Sequence, residues 1–403
     1  MTESLEPRKN LKFILVTIPM FMGYATCFNL QRYLKESAFI ESFQFSYPYS
    51  FLYMGNLLFR LLHNFFWMFT TPYWRILISL FFMICAELFQ ILAQILPFSE
   101  KSNNVWIAYL TYACGGIGIG TFESNVMSVM SLVSPGARYF AVLGIPVGIN
   151  IITIGSFFFI EILSPILSNS VTCIIIFGTT IAMCLVASFV LLRYVPHQNF
   201  IQTAELRAQT PTSSPMYLWN SFRHYRTWLV QLVPSAVAMM VNMFTVSQFA
   251  PGIALYTIAS SSTVRFLGAD VKADYFRSIC GIFTFVGNFA SRLLFEKVRF
   301  IFPPILCCLN VVGAIFVILG SSELIVLGSF IIMFSDGIIY VQSSKLIKKI
   351  TEETDWNLSA FSFWLFVGDC GSVIASFTQQ SMVKFICGWI QEKSTSWNFC
   401  PYY

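Results

Sequence analysis

The sequence predicts an all-α, polytopic membrane protein, a bundle of about eleven spanning helices. Three observations carry that expectation. Of 403 residues, 56% are hydrophobic and only 11% are charged, against about 25% charged in soluble domains; mean hydropathy is +0.70. The apolar runs are continuous over about 20 residues, the length that crosses a ~30 Å hydrocarbon core as a helix, and do not alternate as barrel strands would. The 43 Phe and 17 Tyr suit lipid-facing surfaces and interfacial belts.

In chain order, the expected spans lie near 11–30, 48–70, 75–96, 105–133, 140–163, 171–195, 227–258, 278–298, 301–321, 322–347 and 358–386. The first ten residues are charged and show no cleavage site, so the first run is expected to remain as an anchor. Pro196–Arg226, with QTPTSSP and several basic residues, separates six spans from five. The expected organisation is therefore an N-terminal half (1–195), a cytoplasmic linker (196–226) and a C-terminal half (227–403). With the N-terminus cytoplasmic, fourteen Lys and Arg, Arg75 and Lys345 among them, fall on the inner side and eight on the outer. That bias favours a cytoplasmic N-terminus and linker and an external or lumenal C-terminus. Asn357 opens a sequon in an expected inner loop, where it carries no glycan. The layout is that of a two-half transporter rocking about a central site, in the plasma or an endolysosomal membrane.

Polar groups inside the spans are the candidates for function, because a charge at the centre of a spanning helix costs roughly 2.5–3.5 kcal/mol unless it faces protein or water. Arg292 interrupts GIFTFVGNFASRLL, with Asn288 four residues earlier on the same helical face. It either snorkels to the interface or meets Asp336 or Asp369, which interrupt spans 10 and 11; such a pair is either a lock that opens or a static staple. Arg60 in span 2 and Glu87 in span 3 are placed to neutralise one another, and His63 reads as a bundle residue. Span 4 carries CGGIGIGTFESN: Gly116 and Gly120 form a close-packing face, and Glu123, Ser124 and Asn125 follow as a polar cluster. Glu123 is expected to line the wall of a substrate site, with Asn125 beside it. In span 7 Gln248 precedes a break at Pro251 and Gly252.

No catalytic signature is present: HExxH, GxSxG and P-loop patterns are all missing. The eleven cysteines show no metal spacing and read as small membrane hydrophobes. No cofactor, metal or nucleic acid is expected; the expected partners are a small solute and the lipid bilayer.

These segments resemble the equilibrative nucleoside transporter family. The resemblance covers the six-plus-five layout and is sharpest in SQFAPG, in the Asn288/Arg292 spacing and in FSDGIIY; Asn29 in GYATCFNLQRYL matches an asparagine of the first span, with Phe28 where that family has tryptophan. Asn288 stands where an acidic residue is usual and Asp336 where asparagine is usual. Battenin is similar at NFASRLLFEKVRF, GIGIGTFES and ITEETDWNLSAFSFWLFVGDCG. Both resemblances imply a major-facilitator-like transporter fold. The first implies a nucleoside-like or other small polar solute moved by alternating access, with Asn29, Gln248, Asn288, Arg292 and Asp336 in its matching segments; with Glu123, Asn125 and Asp369, read from the polar groups inside the spans, these are the expected binding or gating residues. The second implies an endolysosomal protein with a transport or trafficking role.

Overall fold

The computed structural model describes residues 10–40, 42–66, 70–96, 98, 104–163, 166–195, 219, 223–249, 263–298, 301–351 and 356–393. Arg8, Lys9, most of the expected linker, the Pro251–Gly252 break and the last ten residues lie outside them. After a 3-10 turn at Leu11–Phe13, the helices are α1 (Ile14–Asn29), α2 (Gln31–Ser37), α3 (Ser42–Phe66), α4 (Pro72–Ile95), α5 (Val105–Val133), α6 (Pro135–Leu163) and α7 (Asn169–Tyr194). They continue with α8 (Tyr225–Gln248), α9 (Ala273–Glu296), α10 (Pro303–Leu319), α11 (Ser322–Thr351) and α12 (Asn357–Lys393). All but the short α2 match the expected spans, and nine helices among the described residues are long and apolar enough to cross a membrane.

Local chemistry sets the helix ends. Pro72 and Pro303 open α4 and α10 at positions where a missing N–H costs nothing. The Ser168 hydroxyl accepts from Val171 N–H at the start of α7. Gly320, at φ 80°, ends α10 in the left-handed conformation. Lys345 caps the C-terminus of α9: its Nζ donates to Phe295 O at 2.9 Å and also to Glu296 O.

One element departs from the expectation of helices alone. Thr263–Phe266 (β1) and Ala269–Lys272 (β2) form an antiparallel hairpin with Phe266 opposite Ala269. Its two turn residues, Leu267 and Gly268, both have positive φ (48° and 82°), the geometry of a primed turn that follows strand twist. The Ser322 hydroxyl donates to Arg265 O at 2.6 Å, and Leu267 N–H donates to Glu323. Hairpin and α11 are thereby joined.

The chain forms two compact units: Met1–Val230 with Thr351–Phe363, and Gln231–Ile350 with Trp364–Tyr403. Aromatic contacts tie the segment after α11 to the first unit: His224 stacks on Trp356 and Trp228 meets Phe363 edge-on. Asn357 is the first residue of α12, and its amide donates to Thr351. Within the first unit the alternating glycines of α5 serve two neighbours. A Cβ on Gly116 or Gly120 would strike the α3 backbone at Leu52 or Asn56, whereas Gly118 lies against Ser79 and Met83 of α4. Helix α5 is thus wedged between α3 and α4. In the second unit Gly287 and Gly337 bring α9 and α11 together, and Gly368 and Gly371 bring α12 against α8.

Candidate functional site

The second unit holds a buried polar network built on Asp336. Close approach at Gly337, whose neighbours are Ser291 and the Asn288 carbonyl, sets α11 against α9 so that Asp336 faces Asn288 and Arg292. Asp336 Oδ2 accepts from Asn288 Nδ2 at 2.6 Å and lies 3.5 Å from Arg292 Nη2. Its Oδ1 accepts from Asn242 Nδ2 of α8 at 2.6 Å. Asn288 Oδ1 in turn accepts from Arg292 Nε at 2.7 Å, and Asn310 of α10 donates to Asn242 at 3.1 Å. The Arg292 guanidinium rests 4.4 Å from the centre of the Tyr340 ring, a cation–π contact. Three helices thereby meet at one carboxylate, α10 joins through Asn242, and Arg292 is buried against protein instead of snorkelling. Asn288 and Arg292 act on Asp336 together, as their four-residue spacing suggests. Asn242 and Asn310 were not among the expected site residues, although Asn310 is the single amide of its apolar run and Asn242 shares its span with Gln231 and Gln248.

The first unit holds a second set of buried charges, and it corrects one expectation. Arg60 pairs with Glu123, Nη2 to Oε2 at 2.6 Å, with side chains 4% and 7% exposed; it does not take Glu87. The reason is the glycine seam. With Gly120 seated on Asn56, the residues one turn further along α5 and α3 are brought side by side. Glu87 instead bonds Thr26 of α1 and Gln90. Arg75, counted on the inner side at the start of span 3, is buried in the first turn of α4.

The other candidates are separate. Asn29 donates to Thr153 of α6 at 2.9 Å. Asn125 donates to Thr121 O within its own helix, and its Oδ1 is buried without a hydrogen-bond partner among the described residues. Gln248 is fully buried at the end of α8 with neither amide atom bonded among those residues. Asp369 is buried on α12. His63 is buried, with Nδ1 2.8 Å from Phe59 O. No three His, Cys, Asp or Glu side chains are grouped as metal ligands among the described residues.

No family model matches the chain, and no curated protein matches it in sequence. Solved structures do match in fold. A POT family transporter crystallised with a thioalcohol-conjugated peptide superposes with a TM-score of 0.63 at 12% identity, over 95% of this chain and 91% of that one. A D-xylose–proton symporter gives 0.58 at 11% identity over 92% and 88%, and the E. coli fucose:proton symporter gives 0.57 at 12% over 93% and 98%. The chain therefore shares the all-α, polytopic, major-facilitator-like fold of these structures.

Proposed function

We propose that the chain is a solute carrier that moves a small polar solute, nucleoside-like in its hydrogen-bonding demands, by alternating access. The observation that carries this reading is the buried charge in each compact unit, Arg60–Glu123 in one and Arg292–Asp336 in the other, within a fold shared with transporters. Buried ion pairs of this kind stabilise membrane bundles weakly or not at all relative to apolar packing, and intramembrane ionisable groups mark solute and ion pathways. In this reading residues 1–195 and 227–403 are the two moving halves, joined by a cytoplasmic linker at 196–226. Arg292, oriented by Asn288, presents cationic donors to a hydroxyl-bearing edge of the solute, and Asp336 and Asp369 set the charge of the inner gate. Glu123, Asn125 and Asn29 serve the N-terminal half, and Gln248 serves the C-terminal half. The resident partners are the bilayer and the solute. The test is uptake of radiolabelled nucleosides, nucleobases, sugars and short peptides by liposomes holding the purified chain. Saturable uptake of a nucleoside above empty liposomes supports the reading; transport of peptides or sugars alone overturns the nucleoside assignment.

A further inference from the structure

Glu87 is a buried carboxyl group that neither ion pair uses. It is 0% exposed at mid-length of α4. Its side-chain bonds go only to Thr26 and Gln90, and no basic group among the described residues acts on it. Helix α4 packs against α1, α2, α5 and α7. The titratable groups that act with Glu87 from those helices are the thiols of Cys27 on α1 and Cys184 on α7, and Tyr112 and Cys114 of α5 lie beside Cys27. A carboxylate buried with no cation would bear its full desolvation cost.

Counting protons locates the hydrogen. Thr26 has one hydroxyl proton, yet its Oγ1 lies 2.7 Å from Gly23 O and 2.5 Å from Glu87 Oε1. A carbonyl and a carboxylate are both pure acceptors, and one proton cannot serve both short contacts. Both are satisfied when the Glu87 carboxyl donates to Thr26 Oγ1 and Thr26 donates to Gly23 O. We propose that Glu87 holds an exchangeable proton whose loss is passed to α1 as a change in the Thr26 hydrogen bond, and that this proton is the coupling ion of the carrier. The proposal rests on the transport reading only for what the proton drives.

The step balances simply. The Glu87 O–H bond breaks, the electron pair stays on Oε1 and the proton passes to water. Thr26 then turns its own hydrogen from Gly23 O to the new carboxylate, and Gln90 Nε2, 3.4 Å from Oε2, closes on the other oxygen. Proton loss therefore changes the hydrogen bonding of α1 one turn before Asn29, which ties α1 to α6 through Thr153. Two polar atoms near this group, Gln90 Oε1 and the Tyr112 hydroxyl, are buried with no hydrogen-bond partner among the described residues. Gln90 Nε2 also reaches Cys27 Sγ at 3.8 Å, and Cys27 and Tyr112 share one cluster.

The test is infrared difference spectroscopy of the purified full chain in light and heavy water, which needs no solute and so separates this proposal from the choice of substrate. Spectra are taken between about pH 5 and about pH 10, a range wide enough to follow a carboxyl group held in apolar surroundings. The expected result is a protonated-carboxyl C=O band that fades as pH rises and is missing in Glu87→Gln. A band that persists unchanged in Glu87→Gln overturns the assignment. A band that belongs to Glu87 but stays constant across the whole range shows a permanently neutral staple and overturns proton exchange. Should Glu87→Gln fail to fold, Thr26→Ala provides the second reading: the band shifts toward that of a carboxyl lacking this acceptor, and an unshifted band refutes the relay.

Discussion

Replacing Arg292 by Ala removes the one cation that the Asp336 network places on this carboxylate. Breaking a buried pair by deleting one partner costs about 3–5 kcal/mol, because the other charge is stranded. Two features set the value here. Asp336 keeps its amide donors from Asn242 and Asn288, both at 2.6 Å, and the lost Arg292 contact to it is the longer one at 3.5 Å, which favours the lower end of the range. Against that, the guanidinium also leaves the Tyr340 face, worth about 0.5–2 kcal/mol, and Asn288 Oδ1 loses its donor at 2.7 Å. A loss of about 3–4 kcal/mol follows for Arg292→Ala, and a comparable loss for Asp336→Ala. In the double variant no charge is stranded, so the combined loss falls short of the sum by roughly 1–3 kcal/mol, the range seen for directly coupled residues. The assay is equilibrium unfolding of the purified protein in mixed micelles, applied to both single variants and the double. Additivity within about 0.5 kcal/mol would refute the pairing.

Glu123→Gln removes the carboxylate charge that faces Arg60 at 2.6 Å and lowers stability by about 3–5 kcal/mol in the same assay; an unchanged melt would mean that the pair contributes nothing. Gly120→Ala forces a Cβ to within 2.6 Å of Asn56 O and costs about 1–3 kcal/mol through overpacking. Gly155→Ala, with nothing within 4 Å of the added atom, is the control and leaves the melt unchanged or slightly raised. In intact cells, a single cysteine at Ser396 is labelled by an impermeant reagent and one at Thr212 is protected; labelling at Thr212 reverses the orientation read from the basic residues.

The spanning helices were legible because each is written in a continuous apolar run, and Arg292, Asn288 and Asp336 were legible because polar groups stand out against such runs. What sequence could not convey is which polar group meets which. Arg60 and Glu87 fall at similar depth on neighbouring helices, yet Arg60 meets Glu123, because α5 seats Gly116 and Gly120 directly on α3. Asn242 and Asn310 were overlooked since a lone amide costs less in a membrane helix than a charge does, so it draws less notice. The Thr26–Glu87 contact joins residues 61 positions apart, through helix rotations that no local pattern encodes. The hairpin at Thr263–Lys272 was hidden in a stretch that reads only as an external loop, although Leu267–Gly268 forms a tight turn there.

Alternating access itself is tested most directly by solute counterflow. Liposomes carrying the purified chain are loaded with an unlabelled nucleoside and diluted into a trace of the same labelled compound. A carrier that exposes one site to each side in turn draws the label in above its equilibrium level before it relaxes, and Arg292→Ala loses the overshoot. A label that rises at the same rate to the same plateau whether or not the liposomes were preloaded, in chain-bearing and empty vesicles alike, contradicts carriage of nucleosides by this chain.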